Sequence, residues 1–254
     1  SVEKLEEVVV KGGKEKDETN NDMATVSSRK MSMFEAMKYS GTRNDPARMA
    51  QNFAGVSGVS DDRNDIIIRG NSPTGVLWRM EGLDIPNPNH FGTLGTTGGP
   101  VTMLNSNNLA DSDFLTGAFP AQYGNATAGV FDLKMRNGNN EKYEFLGQVG
   151  FNGFELGAEG PFSKKSKASF MVNYRYSTLG LLSAIGINFG TGAAIPEYQD
   201  LTFKLNIPTK KAGRFTLFGI AGRSYIEFLG SEQEDANLFS EDGEDLRTGA
   251  DMGV

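Results

Sequence analysis

Few side chains in this sequence offer covalent or acid–base chemistry. His90 is the only histidine and there is no cysteine. A histidine-based triad or a zinc site would need partners that the sequence around His90, with no neighbouring acid, does not supply. His90 is expected to be a solvated loop residue, with ligand contact as its second reading. Asp111 and Asp113 open like a calcium loop, but Gln122 stands at the twelfth position, where a bidentate glutamate belongs. Gly92 to Gly99 holds neither a dinucleotide nor a Walker pattern. Eight acidic residues and one arginine lie between Glu232 and Asp251. They read as a solvated loop, with hard-cation binding by clustered carboxylates as the sharper alternative. No enzyme activity, metal or cofactor is expected, and a net charge of −7 argues against a nucleic-acid partner. Arg69 is different. An arginine directly after Ile66, Ile67 and Ile68 is costly to bury unless paired, so it either snorkels at the strand end or meets carboxylates on a facing surface.

The elements around Arg69 organise the first half of the chain. Three β-branched residues run into Arg69-Gly70, a small polar turn follows, and Val76-Leu77-Trp78 begins a second strand ending at Met80-Glu81-Gly82. A second glycine-rich stretch, FLTGAFPAQYGNATAGVFDLKMR from Phe114 to Arg136, opens with a short strand to Thr116. It then enters a half-buried strand, Ala128 to Met135, through the Gly124 turn. Upstream the pattern is helical. Ser32 and Glu35 form a capping box for a helix carrying Phe34 and Met37 that stops at Gly41. Asp45-Pro46 opens another, carrying Met49, Ala50 and Phe53 and stopping at Gly55. Val56 to Val59 reads as a connection, Asp84 to Pro100 as a loop, and Pro100 to Leu104 as the restart of a helix. The 32 glycines and 10% aromatic residues fit many short strands and turns.

After Asn137-Gly138-Asn139-Asn140 the pattern becomes strict alternation. Tyr143, Phe145, Val149 and Phe151 alternate with Glu144, Gln148 and Gly150. Phe154, Leu156 and Ala158 follow, then Ala168 to Tyr176, Leu201 to Ile207 against Thr202, Lys204 and Asn206, and Phe215 to Phe228. These five segments have the period and length of transmembrane barrel strands. The connections Pro161 to Lys167 and Pro208 to Arg214 are short and basic, whereas Thr178 to Glu197 and Gly230 onward are long. Short periplasmic turns and long outer loops would alternate in this way. Leu179 to Ile195, the longest apolar run, is broken by four glycines and an asparagine and makes a poor membrane helix. Five strands ending in an acidic loop, with no return strand, cannot close around a folded domain, so further strands are expected beyond Val254. The competing reading is a non-transporting adhesion or scaffold protein, an α/β module joined to a soluble β-sandwich.

IIIRGNSPTGVLWRMEGL and GAFPAQYGNATAGVFDLKMRNG resemble the two signatures of the plug domain of TonB-dependent outer-membrane receptors, in order and in spacing. The resemblance implies an α+β plug domain with a mixed sheet (residues 23–140), followed by antiparallel strands of a transmembrane β-barrel, incomplete here (residues 141–254). Residues 1–22 hold one apolar β-run, Val8 to Val10, in a charged tether, which suits strand addition to a partner's sheet edge; the plainer reading makes it the first strand of the following domain. By resemblance, Leu5, Glu6, Glu7, Val8, Val9 and Val10 are the TonB box, which the periplasmic energy-coupling protein TonB engages. Arg69 then pairs with glutamates of the barrel wall and locks the plug, although Thr116 stands before Gly117 where the family usually has an arginine. Substrate-facing loops are implied at Asn71, Ser72 and Thr74 and at Asn87, Asn89, His90 and Phe91. The substrate would be an unidentified small molecule, glycan or peptide. The implied setting is the bacterial outer membrane, in contact with lipid and with the N-terminus in the periplasm, and the resemblance admits a surface lipoprotein as a further partner.

Overall fold

The short apolar runs of the first half become strands, but they pair differently from their order in the chain. The computed structural model describes residues 19–24, 26–33, 38, 40–92, 95–150, 153–163, 167–177, 194–228 and 246–253. In chain order the strands of the first half are β1 (Ser28–Met31), β2 (Val56–Gly58), β3 (Ile66–Ile68), β4 (Val76–Met80), β5 (Leu83–Ile85), β6 (Asn89–His90), β7 (Val101–Thr102), β8 (Ser112–Leu115) and β9 (Gly129–Leu133). β1, β8, β9, β4 and β5 form one sheet in that order. It is mixed, because β4 and β9 are parallel and the other pairs antiparallel. The expected strand–turn–strand from Ile66 to Leu83 is therefore divided between sheets. β3 pairs with β2, a segment expected to be a plain connection. Arg69 and Gly70, with φ of 51° and 80°, then turn the chain toward β4.

β9 is buried along its whole length rather than half-buried, because it is central and both faces of its sheet are covered. On one face Phe131 stacks on Trp78 with ring centroids 4.2 Å apart and meets Phe114 at 4.6 Å. Such ring pairs contribute about 0.5–1.5 kcal/mol each beyond the area they bury. On the other face Val130 and Leu115 pack with Ala24 and Tyr123. Gly129 marks where the sheets touch: a Cβ there would lie 2.3 Å from Ile68 Cδ1 and 3.1 Å from the Leu115 carbonyl.

The helix opened by Asp45-Pro46 forms as α1 (Pro46–Ala50), with the Asp45 carboxylate accepting from Ala47 N at 2.8 Å. It is shorter than the sequence suggests, and Phe53 leaves it to stack on Phe114. The helix expected from Ser32 falls mostly on residues 34–37 and 39, outside the described residues. No helix restarts at Pro100. Val101 and Thr102, both β-branched, instead form β7 against β6, so the expected loop from Asp84 to Pro100 contains β6 and part of β5.

The second half is a six-stranded antiparallel meander: β10 (Glu144–Gly150), β11 (Gly153–Pro161), β12 (Ser169–Tyr176), β13 (Ala194–Pro208), β14 (Arg214–Phe228) and β15 (Leu246–Gly253). β15 is the return strand that the sequence reading lacked. Its residues, LRTGADMG, have weak strand propensity, and it pairs antiparallel along the edge of β14, with Asp251 3.0 Å from Arg223. Met171 and Ile220 of this sheet belong to the same buried cluster as Trp78 and Phe131, so the two halves share one core.

Candidate functional site

On the face that meets the first half, the six-stranded sheet carries polar and charged side chains. Asn173, Arg175, Asp200, Thr202, Lys204 and Asn206 are buried there. On the opposite face Phe145 is 82% exposed and Val149 74%, in a row with Leu156, Tyr174, Leu201 and Leu217. Apolar-out, polar-in alternation is the pattern of a wall standing in lipid and the reverse of a soluble sandwich, whose sheets turn their apolar faces inward.

Ion pairs and amide hydrogen bonds fasten the first half to that inner face. Lys204 Nζ lies 3.0 Å from Glu81 Oε1 and donates to the Met135 carbonyl at 2.7 Å. The same Glu81 oxygen accepts from Met135 N at 2.6 Å. Arg136 meets Glu159 at 2.5 Å, near the crossing from plug to wall. Glu155 Oε1 takes three amide donors, Asn105, Asn107 and Asn173, within 2.8 Å. Beside it a cavity of about 470 Å³ is lined by Arg43, Asn44, Asn107, Gln148 and Arg175, among others. Above all, Asp200 Oδ2 accepts from Arg175 Nε at 3.0 Å and Nη2 at 2.7 Å, and lies 2.9 Å from His90 Nε2. Arg175 Nη2 also donates to the Thr102 carbonyl at 2.5 Å.

His90 is thus not a solvated loop residue. It is 2% exposed, against Tyr198 at a centroid distance of 4.8 Å. The acid it lacks nearby in sequence comes from β13, across 110 positions. Burial pushes the imidazole below its ordinary pKa, and the Arg175 charge adds to that, against the opposing pull of Asp200. Asn89 is also buried. Its Oδ1 accepts from Asn64, which donates in turn to Asp45, and its Nδ2 donates to Asn87. Burial holds the Asp45 carboxyl above the usual range, against those hydrogen bonds and the Arg48 charge.

The other loop residues lie nearer the surface. Asn71, Ser72 and Thr74 are exposed and Asn87 and Phe91 partly so. The two loops meet through Thr97, whose hydroxyl donates to the Pro73 carbonyl at 2.5 Å and whose carbonyl accepts from the Trp78 indole at 3.0 Å. Arg69 is exposed, donates to the Ser27 hydroxyl at 3.1 Å and packs beside Gly117. Among the described residues no carboxylate pairs with it. The TonB-box stretch, Leu5 to Val10, lies outside the described residues. The sequence alternation sets Thr202, Lys204 and Asn206 opposite Leu201 and Leu205, and the same period puts Asp200 with them, but it does not say which residue of the first half each one meets.

A small α+β unit bonded through buried charges to the polar face of strands whose other face is apolar is the arrangement of a plugged outer-membrane barrel. Residues 22–130 match the family model of the TonB-dependent Receptor Plug Domain, so this segment of the chain is a plug domain of that kind. No curated protein matches the sequence. Among solved structures it is similar to the ferric enterobactin receptor from Pseudomonas aeruginosa, in a mutant form bound to enterobactin, at 16% identity and a TM-score of 0.52, covering 83% of this chain and 35% of that one. The pyoverdine outer membrane receptor of the same organism, bound to pyoverdine, aligns at 14% identity and a TM-score of 0.50, over 71% of this chain and 25% of that one. These likenesses are of fold, and the chain spans about a third or less of the receptors it resembles.

Proposed function

We propose that this chain supplies the plug and the first wall strands of an importer that draws a nutrient through the outer membrane at the expense of TonB. Residues 1–22 serve as the tether, with Leu5 to Val10 engaging TonB by strand addition, residues 23–140 as the plug and residues 141–254 as wall. The observation that carries the reading is the inverted burial of the wall strands, with charge toward the plug and aromatics toward lipid. A scaffold with a β-sandwich would bury the opposite faces.

Within the plug, Asn71, Ser72, Thr74, Asn87 and Phe91 are the substrate-facing residues, while Asn89 and His90 fix the loop that presents them. The names of the similar receptors favour a small iron-chelating solute as cargo, with a glycan or a peptide as the competing classes. The test is uptake of ferric enterobactin and ferric pyoverdine, alongside an oligosaccharide and a peptide pool, by cells producing the intact receptor. Val9→Pro removes a backbone donor that strand addition needs and is expected to abolish uptake while leaving surface binding of the cargo intact. Equal uptake by the two forms would overturn the coupling.

A further inference from the structure

We propose that His90, Asp200 and Arg175 form an acid-sensitive latch that holds the plug loop around His90 and Phe91 against wall strands β13 and β14. Three donors converge on one oxygen, Asp200 Oδ2: Arg175 Nε, Arg175 Nη2 and His90 Nε2, all within 3.0 Å. Arg175 comes from the wall and already matches the carboxylate charge, so the pair presents a neutral acceptor and His90 adds to it as a neutral donor from the plug. A second bond beside it runs the same way, Phe91 N to Ser224 Oγ at 3.3 Å. Phe91 has a φ of 56° and follows directly, so the chain bends sharply where it is pinned. The wall makes room for the contact at Gly222, where a Cβ would come within 2.1 Å of Met103 Sδ and 3.0 Å of His90 Cε1.

The latch has a sign with respect to pH. The charged and titratable groups that face His90 are Asp200, Arg175 and Tyr198. A proton on the ring would place a net positive charge in a site 2% exposed for His90, beside a guanidinium and with the Asp200 carboxylate already matched by Arg175. Burial holds its pKa below the ordinary imidazole value against the opposing pull of Asp200, and the Arg175 charge adds a smaller push in the same direction as burial. With the loop released, the ring is solvated and takes up its proton at the ordinary value of about 6.5. The released state therefore binds protons more readily. The latched state is favoured at and above neutral pH and is lost progressively as pH falls below the ordinary value, by about tenfold for each unit of pH until the depressed value is reached. This inference concerns how the loop is held and stands whether or not the receptor imports a siderophore.

Amide hydrogen exchange on the intact receptor, corrected for the intrinsic pH dependence of exchange, tests it at pH 8 and pH 5. The reporters are the amides of Phe91 and of Met103, which donates to the Pro88 carbonyl, with the β13 and β14 ladder as internal reference. In the wild type both reporters are expected to lose protection on acidification, by up to about thirtyfold, while the reference holds. His90→Gln keeps a donor but cannot titrate, and its reporters should show no change between the two pH values. Gly222→Val wedges the contact apart without altering any charge and should leave both reporters unprotected at either pH. Wild-type protection that is equal at pH 5 and pH 8 overturns the latch, as does a loss in His90→Gln as large as that of the wild type. The wild-type comparison needs no substitution, so a variant that failed to fold would leave the test intact.

Discussion

Lys204 shows how much a single side chain carries at the plug–wall contact. Its side chain is 6% exposed and its ammonium is satisfied by Glu81 and the Met135 carbonyl. Replacing it with methionine fills similar space but strands the Glu81 carboxylate in a dry interface, and breaking a buried pair in this way typically costs about 3–5 kcal/mol. Lys204→Met is expected to lower the stability of the intact receptor by that amount in denaturant unfolding. Glu81→Gln in the same background should recover part of it, because no charge is then left buried while the Met135 amide keeps its acceptor. A loss under about 1 kcal/mol for the single variant would mean that water reaches the pair. Arg69 poses the opposite question, since its bond within the described residues is to the Ser27 hydroxyl. If it locks the plug to carboxylates present only in the intact receptor, as the family resemblance implies, Arg69→Ala is expected to cost about 3–5 kcal/mol there. Loss of the Ser27 hydrogen bond alone would cost only about 0.5–1.5 kcal/mol and would remove Arg69 from the lock.

At the scale of elements, the segment at Asn20 and Asn21 is held by residues of β8 and by the Tyr123–Asp132 pair. Asp113 accepts from Asn20 N and Asn21 N at 2.8 and 2.9 Å, and the Asn21 amide donates to the Tyr123 hydroxyl, which donates in turn to Asp132 at 2.7 Å. Burial, with the Asp132 hydrogen bond and charge behind it, pushes the Tyr123 phenol up to about 12. The folded state keeps this proton longer than the unfolded chain, whose tyrosines ionise near 10. Its contribution is therefore complete below pH 10 and is lost as pH rises through about 12. Stability of the intact receptor measured across that window should fall more steeply for the wild type than for Tyr123→Phe; parallel curves would show that the phenol is solvated.

The same elements show what could be read in advance. The two glycine-rich signatures, the capped helix at Pro46 and the alternation after residue 143 are local patterns, and each produced the expected kind of element. Long-range partners decided the rest. Ile66–Ile68 looks like the first arm of a hairpin, yet it pairs backward with Val56–Gly58. His90 looks solvated because its carboxylate lies on β13, and β15 escaped notice because LRTGADMG carries no apolar alternation of its own.

For the whole molecule, the decisive question is which solvent the outer face of the wall meets. β13 is fifteen residues long, and Leu201 stands at its middle while Ile207 is next to its end. Both point away from the plug and they are equally open, at 38% and 40% exposure. In water these positions are equivalent, and an exposed arginine at either would change stability by about 0.5 kcal/mol or less. In a bilayer they are not, because arginine on the lipid face of a barrel costs about 2–4 kcal/mol at the midplane and falls to about 0–1 kcal/mol near the interfaces. Reversible unfolding of the intact receptor from lipid vesicles, with Leu201→Arg and Ile207→Arg compared, measures that difference directly. Leu201→Arg is expected to be the more damaging by at least about 1.5 kcal/mol. Two losses of the same small size would mean that this face is wet, and the wall would then have to be read as the outer sheet of a soluble protein despite its inverted burial.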